Sequence, residues 1–209
     1  TGGKTDGIKI WDANTGELLS KIEHTGIVWI LTWTSDQKKL IAGSSESISI
    51  FDTATWKQIA MLEGHEQTVW CLAWTSDQKK LIAGSSNSSI RIFDASTWKQ
   101  TAILKGHEDG VLALCLFQND LLASTSRDET ARLWNLDTNT EVGQPLQHRG
   151  FVHGAAFSPD GNLLATGCDS DNNTCVWDIT AMLQDAGLEG LLSLPNVSLN
   201  TSGSILSSN

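Results

Sequence analysis

Residues 31–45 read LTWTSDQKKLIAGSS and residues 72–86 read LAWTSDQKKLIAGSS. The two stretches differ at one position in 15, at an offset of 41. Self-similarity at such a period means that one supersecondary unit is stacked along the chain, and this decides the fold before any local propensity does. Working outward, pairs of an aromatic with an acid or amide recur at Trp11-Asp12, Phe51-Asp52, Phe93-Asp94, Trp134-Asn135 and Trp177-Asp178, spaced by 40, 42, 41 and 43. His24, His65, His107 and His148 follow the same rhythm, at 41, 42 and 41. The chain of 209 residues is close to five such units.

Within a unit the pattern is that of short strands. In residues 65–106, Thr68–Trp74 reads as a first strand, Thr75-Ser76-Asp77 as a turn and Lys80–Gly84 as a second strand. Ser85–Ser88 is a loop, Ser89–Phe93 a third strand, and Ala95-Ser96-Thr97 turns the chain into Gln100–Leu104. Strands of this length, with turn residues every 8–12 positions, indicate an all-β fold. A helical period is a candidate only at 181–192 (AMLQDAGLEGLL).

A Gly-His pair (Gly64-His65, Gly106-His107), then an aromatic-acid pair, at a period of 41–43, resembles the WD40 repeat. The resemblance covers nearly the whole chain. It implies a β-propeller of four-stranded antiparallel blades around a channel, with about five blades from these residues. The near-identical neighbouring repeats are also similar to the amplified WD40 arrays of fungal signalling and immune-type NTPase proteins.

The blade units expected are about 24–64, 65–106, 107–147 and 148–190, in one propeller domain or propeller fragment. Residues 1–23 supply only the last two strands of a blade. Leu199–Ser208 (LNTSGSILSS) matches Phe157–Thr166 (FSPDGNLLAT), with Gly161 and Gly203 42 apart, so residues 191–209 are expected to complete that fifth blade. In that register Trp177 to Leu188 equals Phe51 to Leu62, and Glu189-Gly190 sits where Glu63-Gly64 sits, which favours a strand over the segment before them. The other reading is a short helix at 181–192 followed by a Ser/Asn tail. A self-closed five-bladed ring, a piece of a longer propeller and an arc that closes on another copy all remain open.

The resemblance further implies a hydrogen-bonded set of His, Ser or Thr, Asp and Trp in each blade. His107, Ser124, Asp128 and Trp134 match it, as do Thr166, Asp171 and Trp177, with His148 set one residue closer to its strand. The units around His24 and His65 depart from it: Phe51 and Phe93 lack the indole N–H, Asn87 stands where Asp is expected, and the first unit lacks a residue there. Trp33 and Trp74 are expected between blades. Trp56 and Trp98 fall at a turn position that often holds Gly in the family.

Partners of such propellers dock around one channel mouth. Carried over by position, this face holds Ile27, Trp29, Thr68 and Trp70 from the first two full blades. Leu112, Arg127, Phe151 and His153 come from the next two. Two Trp, a Phe, an Ile and a Leu make the set apolar, as an interaction surface requires, although in a narrow ring Trp29 and Trp70 would instead plug the channel. The expected function is a non-enzymatic recognition module for a protein or peptide. A lectin-like propeller and the ligand-sensing part of a larger signalling protein are alternatives, and open blade edges would allow self-association.

Composition bounds the rest. A net charge of −10, from 14 Lys plus Arg against 24 Asp plus Glu, opposes nucleic acid and anionic membrane. No membrane span or secretory leader is expected, and a cytoplasmic location is. Gly3-Lys4-Thr5 lacks the rest of a phosphate loop. No catalytic residue, cofactor or metal is expected, since the repeated histidines come one per blade. Cys168 and Cys175 flank one hairpin, and reduced thiols are expected.

Overall fold

The computed structural model describes residues 7–24, 26–118, 120–170 and 174–192. The expected fifth-blade strands at 193–209, and Asp171, lie outside the described residues.

Two strands, β1 (Ile8–Trp11) and β2 (Leu18–Ile22), form an antiparallel pair. A four-stranded blade follows: β3 (Ile30–Trp33), β4 (Lys39–Gly43), β5 (Ile48–Asp52) and β6 (Gln58–Leu62). The next blade is β7 (Val69–Trp74), β8 (Lys80–Ser85), β9 (Ile90–Asp94) and β10 (Gln100–Leu104). The third is β11 (Val111–Phe117), β12 (Leu121–Ser126), β13 (Thr130–Asn135) and β14 (Thr140–Gln147). The fourth has three strands, β15 (Val152–Phe157), β16 (Leu163–Cys168) and β17 (Thr174–Asp178). Each blade is an antiparallel meander, and β3, β7, β11 and β15 lie against one another in turn.

The turns are written in side-chain chemistry. In the repeated Thr-Ser-Asp-Gln turn, Thr34 Oγ1 donates to Asp36 Oδ1 at 2.6 Å, and the Lys38 and Lys39 amides donate to Asp36 Oδ1 and Thr34 Oγ1. Thr75, Asp77, Lys79 and Lys80 repeat these bonds, and Ser158, Asp160, Asn162 and Leu163 make them again. The fourth turn residue is left-handed every time: Gln37 at φ +57°, Gln78 at +59° and Gly161 at +75°. Only Gly takes that conformation without a steric cost.

The acid of each aromatic-acid pair has an equally local role. Asp12, Asp52 and Asp94 each accept backbone N–H groups two or three residues on, closing the turn into the outer strand. Asn135 Oδ1 does the same for Asp137 and Thr138, since an amide oxygen is also an acceptor. Asp178 caps a helix instead, accepting from Ala181 N at 3.2 Å.

That helix, α1 (Ile179–Asp185), with a 3-10 turn at Glu189–Leu192, stands where the register reading puts a fourth strand. Ile179 and Leu183, four apart on one helical face, are buried with Phe117, Leu133 and Val142 of the third blade. In a strand these two positions would stand about 13 Å apart, whereas one helical turn brings them within about 6 Å. As a helix both enter one core, and Met182, Leu188 and Leu191 join from its rim.

The core lies between blades. Ile8 and Ile22 pack on Leu40, Ala42 and Phe51. Ile41, Ile50 and Leu62 pack on Leu81, Ala83 and Phe93, and Ile82, Ile92 and Leu104 on Leu122 and Trp134. Trp33 differs from expectation: it is 45 % exposed, and among the described residues only β1 and β2 stand in the preceding sheet, while Trp74 is half-buried against the preceding blade.

Replacing Gln37 by Gly relieves a left-handed residue whose side chain makes no hydrogen bond among the described residues. We expect a gain of about 0.5–1 kcal/mol, a rise of roughly 2–4 °C by thermal melting. Gly161→Gln should lower the melting temperature by more than that, since a Cβ there would also stand 2.5 Å from the Phe117 ring.

Candidate functional site

Two sets of side chains stand out: a polar network inside the blades and an aromatic group at one end of the inner strands.

The network is complete in the third blade. His107 Nδ1 donates to Asp128 Oδ2 at 2.8 Å, and its Nε2 lies 2.7 Å from Ser124 Oγ. The Trp134 indole N–H donates to the same Ser124 oxygen at 2.8 Å. Asp128 also accepts from Glu108 N, Thr130 N and Thr130 Oγ1. Burial by itself would raise the Asp128 carboxyl, but the bonds from His107 and Thr130 and the charge of His107 outweigh it and hold the group well below the usual carboxylate range. In the fourth blade Trp177 Nε1 donates to Thr166 Oγ1 at 2.8 Å, His148 Nε2 lies 3.2 Å from that hydroxyl, and Asp171 lies outside the described residues.

The first two full blades have lost the network in a coupled way that the sequence spacing did not show. The register places Ala42 and Ala83 where the third blade has Ser124. Phe51 and Phe93 stand where it has Trp134. The hydroxyl and the indole that would bond to it are therefore both absent, and removing both partners of a buried bond is far cheaper than removing one. The histidines are what remain. His24 Nε2 keeps Ser49 Oγ at 3.2 Å. Neither ring nitrogen of His65 has a hydrogen-bond partner among the described residues, although the residue is only 3 % exposed. Asn87 Oδ1 is turned instead to Ser89. Burial, with Arg91 nearby, pushes the His65 pKa down to about 4.

At one end of the inner strands the loop before β3 and the start of β7 bring Trp29 and Trp70 together, with ring centroids 4.8 Å apart and planes tilted by 56°. The Arg127 guanidinium lies over Trp70, 5.7 Å from the ring centroid, where a cation meets the negative face of an indole. Backbone bonds hold these loops: Trp29 N donates to Gly43 O, Val69 N to Ser44 O of the preceding blade, and Arg127 N to Gly110 O. Trp29 is 46 % exposed, Phe151 42 %, and Arg127 and His153 are exposed, while Ile27, Thr68, Trp70 and Leu112 are half-buried. His153 Nε2 is 3.5 Å from Asp169 Oδ2 on the surface. The structure therefore joins Trp29, Trp70 and Arg127 into one contact group.

On the opposite rim Trp56 and Trp98, at φ +55° and +58°, meet Trp33 and Trp74 edge-on at 6.2 Å. The four cysteines are free, and burial pushes the Cys71 and Cys115 thiols up to about 12, far from the reactive thiolate. No group of three or more His, Cys, Asp or Glu among the described residues is placed to hold a metal ion. No helix among them is long and apolar enough to cross a membrane.

Stacked antiparallel blades with this network define a propeller-repeat protein. The family model described as WD domain, G-beta repeat matches residues 56–94, 98–135 and 140–178, just over half of the chain. The chain belongs to the WD40 repeat family. It is similar to human apoptotic protease-activating factor 1, 28 % identical over 164 residues, which are 77 % of this chain and 13 % of that protein. It is 42 % identical over 60 residues to the small ribosomal subunit protein RACK1y of Oryza sativa subsp. japonica, covering 28 % of this chain and 17 % of the relative. Among solved structures, the computationally designed Ika8 protein superposes with a TM-score of 0.73 at 26 % identity, over 85 % of this chain and 54 % of that one. The chain thus spans less than a fifth of these two natural relatives and about half of the designed propeller. WD40 propellers in general mediate protein–protein interaction.

Two outcomes follow from the network. Asp128→Ala should destabilise the chain far more than Asn87→Ala in thermal melting, because it strands His107 and two backbone amides at roughly 1–3 kcal/mol each. His65 folds neutral, whereas in the unfolded chain it takes up a proton below about 6.5. Stability should therefore be full above pH 6.5 and decline as the pH falls towards 4. His65→Leu should remove that part of the decline in melting temperature, and His107→Leu should instead lower stability at every pH.

Proposed function

We propose that the chain is a non-enzymatic recognition module whose docking face is centred on Trp29, Trp70 and Arg127, with a protein or peptide as partner. One observation carries the reading: a half-exposed Trp29 tilted against Trp70, over whose ring a guanidinium lies. Trp and Arg dominate interface energetics, because each offers a large rigid surface together with a polar handle. Ile27, Leu112 and Phe151 extend the apolar area, Thr68 and His153 supply polar contacts at its margin, and Arg127 suits a carboxylate on the partner. The charge of −10 disfavours nucleic acid and anionic lipid as partners. We place the chain in the cytoplasm, where free cysteines such as these four stay reduced.

Peptides selected against the chain from a displayed library test this reading. The double variant Trp29→Ala, Trp70→Ala should bind the selected peptides at least tenfold more weakly, the size of a hot-spot loss of roughly 2 kcal/mol. Its melting temperature should stay near that of the parent. Arg127→Ala should weaken acidic peptides more than neutral ones. Unchanged peptide binding, or collapse of the fold, would show instead that the two rings plug the channel. Selective capture by glycans with no peptide enrichment would favour the lectin-like alternative.

A further inference from the structure

Two successive blades hold a guanidinium at the same place. In the second full blade Arg91 of β9 donates through Nη1 to Gln100 Oε1 of β10. In the third, Arg132 of β13 sets Nη1 at 2.9 Å from both carboxylate oxygens of Glu141 of β14. Each guanidinium lies over the glycine that precedes a histidine of the repeat. A Cβ on Gly64 would meet Arg91 Nη1 at 2.9 Å, and one on Gly106 would meet Arg132 Nη1 at 3.0 Å. The place therefore combines a flat cation, an acceptor on the outer strand and a stretch of bare backbone.

The first full blade keeps the place and lacks the cation. Ser49 stands where the others have Arg91 and Arg132, since these three residues pair with Ala42, Ala83 and Ser124 in the same register. Gln58 stands at the Gln100 and Glu141 position, opposite Phe51 as they are opposite Phe93 and Trp134. Glu23 precedes His24 where the two glycines precede His65 and His107. Between these side chains lies a cavity of about 230 Å³, lined by Glu23, His24, Ser47, Ser49, Gln58 and Met61. Its lining comes from both sides of the seam, the segment after β2 and the β5–β6 hairpin, and holds no cationic side chain among the described residues. Ser49 is buried, whereas Glu23, Gln58 and Met61 are exposed, so the cavity opens to solvent.

We propose that this cavity binds a guanidinium, the end of an arginine side chain carried by a protein or peptide partner. The acceptors fit the group: the Glu23 carboxylate, Gln58 Oε1 and Ser49 Oγ offer oxygen to a planar fork of five N–H donors. Ser49 Oγ lies 3.2 Å from His24 Nε2, and a hydroxyl oxygen has a second lone pair to give. Glu23 pairs with Lys21 at 3.3 Å, but both side chains are exposed, and a pair of that kind is weak enough to yield. Two blades of this chain already hold a guanidinium at the equivalent position, which is why this group rather than an ammonium is the ligand. The site lies beside the outer strands, apart from Trp29, Trp70 and Arg127. It rests on the function proposed above only in taking a protein or peptide as the source of the arginine.

Titration of N-acetyl-arginine methylamide into the full 209-residue chain, followed through the His24 imidazole signals by NMR, is the test. The parent should give a saturable shift and bind this compound roughly tenfold more tightly than the corresponding lysine compound, which has no planar fork. Gln58→Glu supplies the acid that Glu141 supplies in the third blade and should tighten binding. Ser49→Arg should fill the cavity from within and abolish the response. The double variant Trp29→Ala, Trp70→Ala should leave the titration unchanged, so failure of the docking face and failure of this site are told apart. A parent without a saturable His24 shift overturns the proposal, as do equal binding of the lysine compound and a folded Ser49→Arg variant that still binds. If Ser49→Arg does not fold, Gln58→Leu on the exposed side of the cavity takes its place. It should weaken binding about fivefold through the lost acceptor, and unchanged affinity overturns the proposal.

Discussion

The structure depends on one constraint: a four-stranded blade has two apolar faces and can cover neither by itself. Ile41 and Ile50 are buried because Leu81 and Phe93 lie over them, and Phe93 is buried for the same reason from the other side. Burial is therefore a property of neighbours, repeated along the chain, and stability accumulates seam by seam. The helix after β17 follows the same constraint. Its Ile179 and Leu183 cover the outer part of the third blade.

Against that background the polar network is a local addition that blades use to different degrees. Where it is whole, His107, Asp128, Ser124 and Trp134 satisfy one another and lock β12 to β13 and to the loop before β11. Where it is reduced, Ala replaces the hydroxyl and Phe replaces the indole together, so neither half of that bond is left without the other across β4 and β5 or β8 and β9. His65 stays behind as a buried ring without a hydrogen-bond partner among the described residues, with a pKa near 4. Packing alone carries these blades, which explains how two adjacent repeats keep nearly the same sequence without the network.

Much of the fold was legible before any coordinates, because its determinants are local. The Thr-Ser-Asp-Gln and Ser-Pro-Asp-Gly turns close through side chains two to five residues apart, and the repeat period gives the strand order. The choice between strand and helix after Trp177 was not legible. Asp178 caps a helix with the same carboxylate that closes a hairpin turn in Asp52 and Asp94, so the motif reads alike in both cases. The channel-mouth residues could be named from their positions. Which of them touch could not, because Trp29, Trp70 and Arg127 come from three blades and meet only when those blades stack.

By itself the sequence determined the repeat, the antiparallel hairpins and the turn chemistry, all of which act over a few residues. It also singled out the aromatic positions of the proposed docking face. Only the tertiary structure decided which faces are covered. Val176 and Ile50 occupy equivalent positions of equivalent strands, and one is 63 % exposed while the other is at 0 %. The physical reason is that burial of a sheet face is set by the blade beside it, a contact across space that no local pattern in the chain encodes.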